Sequence, residues 1–181
     1  MNTLLNPETV SVVQEFGSLA PVHLGLADEV RHQSVAALNR LLAHATSIRD
    51  QYRKSHWQAC GTSFYELHLL FERSYTEQDL LVDMLAERVQ SLGGVALALP
   101  RDIQEESRLA RGPRGAEGTT AQLLRLVDSH EFILQEARPM ARSAADRGDD
   151  GTADLIVSEV IRPNERQSWM VSRHLSGQLA A

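Results

Sequence analysis

Apolar residues recur at helical spacing in the first half of the chain. Between residues 24 and 60 they fall on one face of a predicted helix. Gly61 predicts the end of this helix, and Thr62 or Ser63 is placed to cap a second one. The second helix is predicted to run to about Leu92 and to stop at two glycines. The positions that carry the first pattern are Val30, Ala37, Leu38, Leu41, Leu42 and Ile48.

A long connection separates this pair of helices from the next helical segment. Residues 95–119 contain two prolines and several glycines, and we expect only a short helix within them, around Asp102 to Leu109. A third long helix is predicted over about Thr120 to Arg147. Pro139 lies inside it and predicts a kink or a break near Ala137, because proline removes one helical hydrogen bond.

The last helical segment follows a turn at residues 148–151. It is predicted to extend from Thr152 to about Leu175 and to bend at Pro163. Four helices with one long connection between the second and third predict an all-α fold, a four-helix bundle with one long crossover connection that carries a short helix. We expect an extended N-terminal arm over residues 1–22, the bundle over residues 23–176 and a short tail over residues 177–181.

Composition narrows the class of protein. The net charge of -6 argues against general affinity for nucleic acid, and the single cysteine, Cys60, excludes an internal disulfide and fits a reducing cytoplasm. No apolar run is long enough to cross a bilayer, so no membrane partner is expected. The first ten residues lack the basic start and apolar core of a secretion signal, which also favours a cytoplasmic location.

Two histidines and two carboxylates in the second helical region suggest a metal site. Asp83 and Glu87 are four residues apart, so they share one helix face. His68 precedes Asp83 by fifteen residues with no Pro or Gly between them, which predicts a separation of roughly 22 Å along one helix. The same fifteen steps leave the two side chains about 60° apart around the helix axis. They therefore face the same way from opposite ends, and one metal ion cannot bridge them.

A second copy of the chain resolves this separation. If two such helices pack antiparallel across a two-fold axis, His68 of one subunit meets Asp83 of the other, and each dimer has two equivalent sites. His56 is expected to join from the end of the preceding helix. Imidazole and carboxylate ligands together suit a borderline metal such as iron.

The residues just described resemble the Dps proteins, the mini-ferritins also called DNA-binding proteins from starved cells. The resemblance covers about residues 24–175. It implies a ferritin-like bundle that assembles into a hollow dodecamer, oxidises Fe(II) between two-fold-related subunits with hydrogen peroxide or oxygen, and stores ferric oxide. Two iron ions are implied at each site, zinc is a plausible substitute, and no haem is expected. The motifs are His56-Trp57, Phe64, Leu67-His68, Asp83, Glu87-Arg88, Gly93-Gly94, the segment 148–155 and the segment 164–169.

The resemblance also assigns roles to individual residues. His56 and His68 match the iron ligands of one subunit, and Asp83 and Glu87 match those of its partner. Glu72 matches a carboxylate near the second iron, where the family often has Asp. Trp57 is a candidate electron donor when only one iron is bound, although packing at an interface is an equally good interpretation.

Acidic residues near the start of the fourth helix match the family's three-fold pore for iron. Asp149, Asp150 and Asp154 lie in that region, and copies from three subunits would concentrate negative charge at one opening. The same residues also suit a helix cap and favourable charges at a helix N-terminus. Both interpretations stay open at the level of sequence.

DNA binding is the alternative function, together with association with the nucleoid. The family often uses a lysine-rich tail for it, but residues 1–21 contain no Lys or Arg, so DNA binding is expected to be absent or weak. An iron site inside one bundle would need two Glu-x-x-His patterns, and only Glu29 to His32 supplies one. Five histidines have no defined partner and leave accessory metal sites open: His23, His32, His44, His130 and His174.

Overall fold

The computed structural model describes residues 11–175, so the predicted tail at 177–181 and the first ten residues of the arm lie outside the described part. All regular secondary structure within these residues is helical, and the predicted fold class is confirmed. The elements are α1 (Asp28–Gln58), α2 (Phe64–Ser91), α3 (Pro100–Glu106), α4 (Thr119–Asp146), α5 (Asp150–Leu155), a π-helical segment (Ile156–Ile161) and α6 (Arg162–Arg173).

The hydrophobic core lies along the axis of the bundle. α1 packs along α2, and α4 together with the last three helical segments completes the four-helix arrangement. The fully buried side chains include Leu38 and Tyr52 of α1, Phe71 and Leu85 of α2, and Ile156 of the π-helical segment. Burial of such side chains contributes about 1.5 to 3 kcal/mol each and outweighs weak local propensities.

Two local predictions, one at the start of α2 and one inside α4, differ from the structure. Ser63 occupies the N-cap position of α2, but its side chain makes no capping hydrogen bond. The preceding Gly61 has φ +86°, so the left-handed turn that only glycine adopts readily carries the chain from α1 into α2. α4 continues through Pro139 without interruption, so a break near Ala137 is wrong, whereas the alternative prediction of a kink there stays a prediction. The bundle core holds Ala137 fully buried on the opposite side of the exposed Pro139, which stabilises the helix there.

The fourth helical region is not one uniform helix. Its middle, Ile156–Ile161, is π-helical, and α6 begins immediately afterwards with Pro163 in its first turn. Proline has no N–H to donate, so a change in hydrogen-bond pattern falls next to it. The Asn164 amide then donates to the Val160 carbonyl at 2.7 Å. The structure thus shows a change of helix type just before Pro163, and the bend predicted there stays a prediction.

The N-terminal arm is held against the end of α2. Gly93, at φ +83°, accepts hydrogen bonds from the Ala20 N–H at 2.7 Å and the Gln14 amide at 2.9 Å. A Cβ atom at Gly93 would lie 2.5 Å from the Ala20 carbonyl oxygen. Arg31 donates to the carbonyls of Ala20 and Leu92, which ties the arm, α1 and the end of α2 together.

Asp149 joins three helices. One carboxylate oxygen accepts from Arg88 at 2.7 Å and from the Thr152 N–H at 3.1 Å, and the other accepts from the Ser34 hydroxyl at 2.6 Å. The residue is only 1% exposed. Burial alone raises the pKa of Asp149, but the hydrogen bonds from Ser34 and Thr152 and the charge of Arg88 outweigh it, so this pKa lies below its ordinary value.

We expect Asp149→Ala to lower the free energy of unfolding by about 2 to 4 kcal/mol near neutral pH, because it removes a helix cap and leaves Arg88 without its carboxylate. The depressed pKa stabilises the folded state above about pH 4, and this contribution is lost as the pH falls through the folded-state pKa. The difference from the wild type should therefore shrink in acid. Urea unfolding at fixed protein concentration measures both effects.

The matched control is Asp150→Ala, which removes the exposed neighbouring carboxylate. It should change the stability by no more than about 0.5 to 1 kcal/mol. Equal destabilisation by both variants would contradict the structural role of Asp149.

Candidate metal centre

His56 and His68 stand face to face at the corner between α1 and α2. Their ring centroids are 3.8 Å apart with an interplanar angle of 22°. His56 Nδ1 lies 3.1 Å from the His68 carbonyl oxygen, and His68 Nδ1 lies 3.0 Å from the His56 carbonyl oxygen. The turn at Gly61 allows this reciprocal pairing, because it reverses the chain within a few residues.

The reciprocal hydrogen bonds decide which ring nitrogens are available. A carbonyl oxygen only accepts, so each Nδ1 must carry the proton and donate. Each neutral ring then has its lone pair on Nε2, which is how second-shell partners usually prepare histidine for a metal. Both histidines are half-buried. The Phe64 ring lies beside them, with its centroid 5.2 Å from that of His68, and gives the pair an apolar neighbour. The pair thus offers two fixed nitrogen ligands.

Asp83 and Glu87 lie on the same helix as His68 but far from it. α2 is continuous from Phe64 to Ser91, so His68 and Asp83 are separated by roughly 22 Å along the helix. Both carboxylates are exposed in the single chain. Across residues 11–175 no group of three or more His, Cys, Asp or Glu side chains comes close enough together to hold a metal ion. One chain therefore presents a nitrogen pair and a carboxylate pair at separate places.

The other predicted site residues are distributed as follows. Glu72 is exposed one helical turn after His68. Trp57 is 72% exposed beside the histidine pair, with the Arg53 guanidinium 5.9 Å from its ring centre. Asp150 and Asp154 are exposed around the first turns of α5, whereas Asp149 is buried in the contacts described above. For Asp149 the structure thus favours the helix-cap interpretation.

A polar network occupies the middle of the bundle, where a ferritin-like protein can hold two metal ions inside one chain. The Tyr52 hydroxyl lies 2.5 Å from His130 Nε2, and His130 Nδ1 lies 2.8 Å from Asn164 Oδ1. The Gln78 amide donates to Asn164 Oδ1 at 3.2 Å and to the Gln167 amide oxygen at 2.9 Å. Both nitrogens of His130 are engaged by neutral partners, so this network does not offer the carboxylate ligands of an internal two-metal site.

Sequence reasoning missed this network, although a signal for it exists. His130 lies four residues after Leu126 and three before Ile133, on the apolar face of α4. A polar residue at a core position requires buried partners. The partners themselves come from α1, α2 and α6, and they could not be assigned before the helices were packed together.

His44 is a second fully buried histidine. Its ring meets Phe132 edge to face at a centroid distance of 5.4 Å, and the Ser107 hydroxyl approaches Nδ1 at 3.5 Å. Burial lowers the pKa of His44 to about 4, with a further contribution from the charges of Arg40 and Arg108. Burial likewise lowers the pKa of His130 to about 4, against the opposing effect of its hydrogen bond with Asn164.

Comparisons with known proteins show which family this fold belongs to. A family profile described as a ferritin-like domain matches residues 35–178. The structure of DpsC from Streptomyces coelicolor is 44% identical, aligns over 91% of this chain and 96% of that one, and superposes with a TM-score of 0.90. The chain belongs to the Dps family.

Two further relatives have names that state a property of those proteins. A Vibrio cholerae Dps structure, described as a member of a superfamily of ferritin-like diiron-carboxylate proteins, is 30% identical over 87% of this chain and 98% of its own, with a TM-score of 0.79. A nutrient stress-induced DNA-binding protein of Synechococcus is 32% identical over 86% of this chain and 88% of its own. Within the described residues of this Dps chain, no helix is both long and apolar enough to cross a membrane.

We expect the stability of this Dps protein to fall as the pH drops from about 6.5 to about 4. In that interval unfolded histidines bind protons while buried His44 and His130 stay neutral, which costs about 1.4 kcal/mol per pH unit for each residue. His44→Gln should flatten this dependence, as measured by the unfolding midpoint across the pH range. His32→Gln alters an exposed histidine and should leave the slope unchanged. If the stability of the wild type and of His44→Gln depended on pH with the same slope, buried His44 would not be a source of the pH dependence.

Proposed function

We propose that this protein oxidises Fe(II) at sites shared by two-fold-related subunits and stores the ferric product in a hollow dodecamer in the cytoplasm. The proposal rests on one observation: the four expected ligands form two separate pairs within one chain. His56 and His68 form a prepared nitrogen pair, and Asp83 and Glu87 form a carboxylate pair roughly 22 Å away on the same helix. Two copies of α2 packed antiparallel bring unlike pairs together at both ends of the dimer interface.

The ligands suit both oxidation states of the substrate. Neutral Nε2 atoms retain affinity for Fe(II), whereas the hard carboxylates of Asp83 and Glu87 favour Fe(III). Glu72, one turn from His68, is proposed to approach a second iron. With two irons at a site, one hydrogen peroxide accepts one electron from each and, with two protons, gives two waters and two Fe(III). No hydroxyl radical needs to leave the site in this stoichiometry. Oxygen is the other oxidant considered, and zinc can occupy the same ligands without redox chemistry.

We further propose that Asp150 and Asp154 guide Fe(II) through a three-fold pore. They lie four residues apart near the start of α5, and both are exposed. Copies from three subunits would attract cations to one opening. Asp149 is omitted from this pore, because Arg88, Ser34 and Thr152 already occupy its carboxylate.

Mixed assemblies of two inactive variants test the shared site. His68→Ala and Asp83→Ala should each lower the Fe(II) oxidation rate by roughly 10- to 100-fold while leaving assembly intact, because each removes a direct ligand. Co-expression pairs the intact Asp83 of one variant with the intact His68 of the other. Random pairing restores one of two sites in half of the dimers, so about a quarter of the wild-type rate should return. Stopped-flow absorbance of ferric iron measures the rate.

Controls separate this outcome from general damage. His32→Ala and Asp128→Ala remove an exposed histidine and an exposed carboxylate elsewhere and should oxidise iron normally. Size-exclusion chromatography reports assembly for every variant. If the mixed particles oxidise iron no faster than either parent, ligands from a single subunit form the site and the proposal fails.

Trp57 is proposed to donate an electron when peroxide reacts with a single bound iron. The residue adjoins His56, and its exposure in the single chain leaves the ring accessible. Trp57→Phe should therefore increase hydroxyl-radical release at low iron loading, measured by spin trapping with matched iron and peroxide. Trp169→Phe changes a tryptophan of α6 that is 57% exposed and is not adjacent in sequence to a proposed iron ligand, and it should not alter the signal. An unchanged signal in Trp57→Phe assigns this ring to packing alone.

DNA binding has support from the names of relatives rather than from this chain. The part of the arm that the structure describes, residues 11–22, contains Glu15 and no Lys or Arg. Counterion release on DNA scales with the number of cations that reach phosphates, so this arm contributes little. We propose that iron oxidation is the main activity and that DNA binding is weak.

A further inference from the structure

A cavity of about 520 Å³ lies between α1, α4 and the long connection that carries α3. We name it the crossover cavity. The segment 109–114 covers one side of it, and α1 residues from Thr46 to Ser55 form the opposite wall. This volume is in the range of sites that bind small molecules. His56 and His68 do not line it, although Ser55 of its wall directly precedes His56.

A set of polar contacts fixes the connection over this cavity. Glu117 is paired with Lys54 of α1, 3.6 Å away, and with Arg125 of α4. Lys54 also donates to the Pro113 carbonyl, and the Gln51 amide donates to the Ala110 carbonyl at 3.3 Å. The Glu117 side chain is only 11% exposed. The covering segment is therefore anchored at several points to two long helices, so the cavity is built into the fold.

The cavity is positively charged in an acidic protein. Five cationic and two anionic side chains line it, whereas the whole chain has a net charge of -6. The two anionic residues, Asp50 and Glu117, already have cationic partners. Arg111 and Arg114 form no ion pair with any described residue. Two unneutralised guanidiniums on one anchored segment form a preferred arrangement for phosphate or carboxylate oxygens.

The rest of the lining is suited to an uncharged ring. Ile103, Leu109 and Leu126 contribute apolar surface, and Gln104 and Ser107 offer hydrogen-bonding groups. A site with charged side chains at its rim and apolar surface inside selects ligands that have both a charged part and an apolar part. A bare metal cation is disfavoured here because the charges repel it.

We propose that the crossover cavity binds a phosphorylated small molecule of nucleotide size. Arg111 and Arg114 hold the phosphate oxygens, and the apolar wall at Leu109 and Ile103 receives the organic part. A concave site of this size accepts a compact anion, whereas duplex DNA requires an open surface along which successive phosphates can be contacted. The proposal is independent of the iron chemistry and adds a ligand site to the outer part of the bundle.

Calorimetric titration of the assembled, iron-free protein with ADP tests the proposal. We expect saturable binding of about one ADP per chain, weaker binding of inorganic pyrophosphate and no detectable binding of uncharged adenosine. The double variant R111Q/R114Q should weaken ADP binding at least about tenfold, because each charged hydrogen bond supports the phosphate. R101Q is the control, since its side chain is 88% exposed and outside the cavity. It should bind ADP like the wild type.

The other outcomes overturn the proposal. Absence of saturable ADP binding, or equal weakening by R101Q, would show that the cavity is not a specific site. If a short DNA duplex binds more tightly than ADP and loses this binding in R111Q/R114Q, the two arginines belong to an open nucleic-acid surface instead. Normal assembly and iron oxidation in R111Q/R114Q separate all of these results from a failure of the iron site.

Discussion

The rigidity of α2 is the constraint on which the proposed chemistry of this protein depends. A continuous helix from Phe64 to Ser91 cannot fold back, so it holds His68 and Asp83 roughly 22 Å apart in every copy of the chain. Each monomer is left with ligands that face the same way but never meet. Assembly is therefore a chemical requirement in the proposed function, since only a second chain supplies the missing ligands. The exposure of Asp83 and Glu87 in the single chain agrees with this interpretation.

The bundle core explains why the proposed metal chemistry is not placed inside one chain. Tyr52, His130 and Asn164 form a neutral network at the place where a ferritin-like chain can hold carboxylates. A buried carboxylate without a metal or a cationic partner would be strongly destabilising, whereas these neutral groups satisfy one another. The same network links three long helical elements through one histidine. The core can thus stabilise the bundle without a metal ion, which leaves the proposed iron ligands free to lie at the surface.

The long connection has its own structural role. Its anchors to Lys54 and Arg125 run through Glu117, so a segment rich in glycine and proline is fixed on both α1 and α4. In this arrangement Arg111 and Arg114 line a partly open cavity and form no ion pair with any other residue between 11 and 175. In a chain with a net negative charge, such a local concentration of positive charge points to an anionic ligand.

The sequence by itself determined the helical class, the positions of α1, α2 and α4 to within a few residues, and the glycines that end the first two helices. The spacing of buried residues and the glycines at positive φ depend on local sequence, so they can be predicted without knowing how the helices pack. It also determined that His68 and Asp83 lie on one helix face, because that follows from helix geometry alone. Where the packing opposes a local rule, the prediction was wrong: α4 continues through Pro139, and Ser63 makes no cap.

Only the tertiary structure decided what each polar side chain contacts. The reciprocal bonds that free Nε2 of His56 and His68 depend on the angle of one turn, and the capture of Asp149 by Arg88 joins residues 61 positions apart. His130 was an isolated histidine in the sequence and became the centre of a network once four helices met. The anchored cavity under the connection arose in the same way. These features depend on distances between elements that periodicity does not contain, because a helical pattern fixes which face is buried but not which partner it meets.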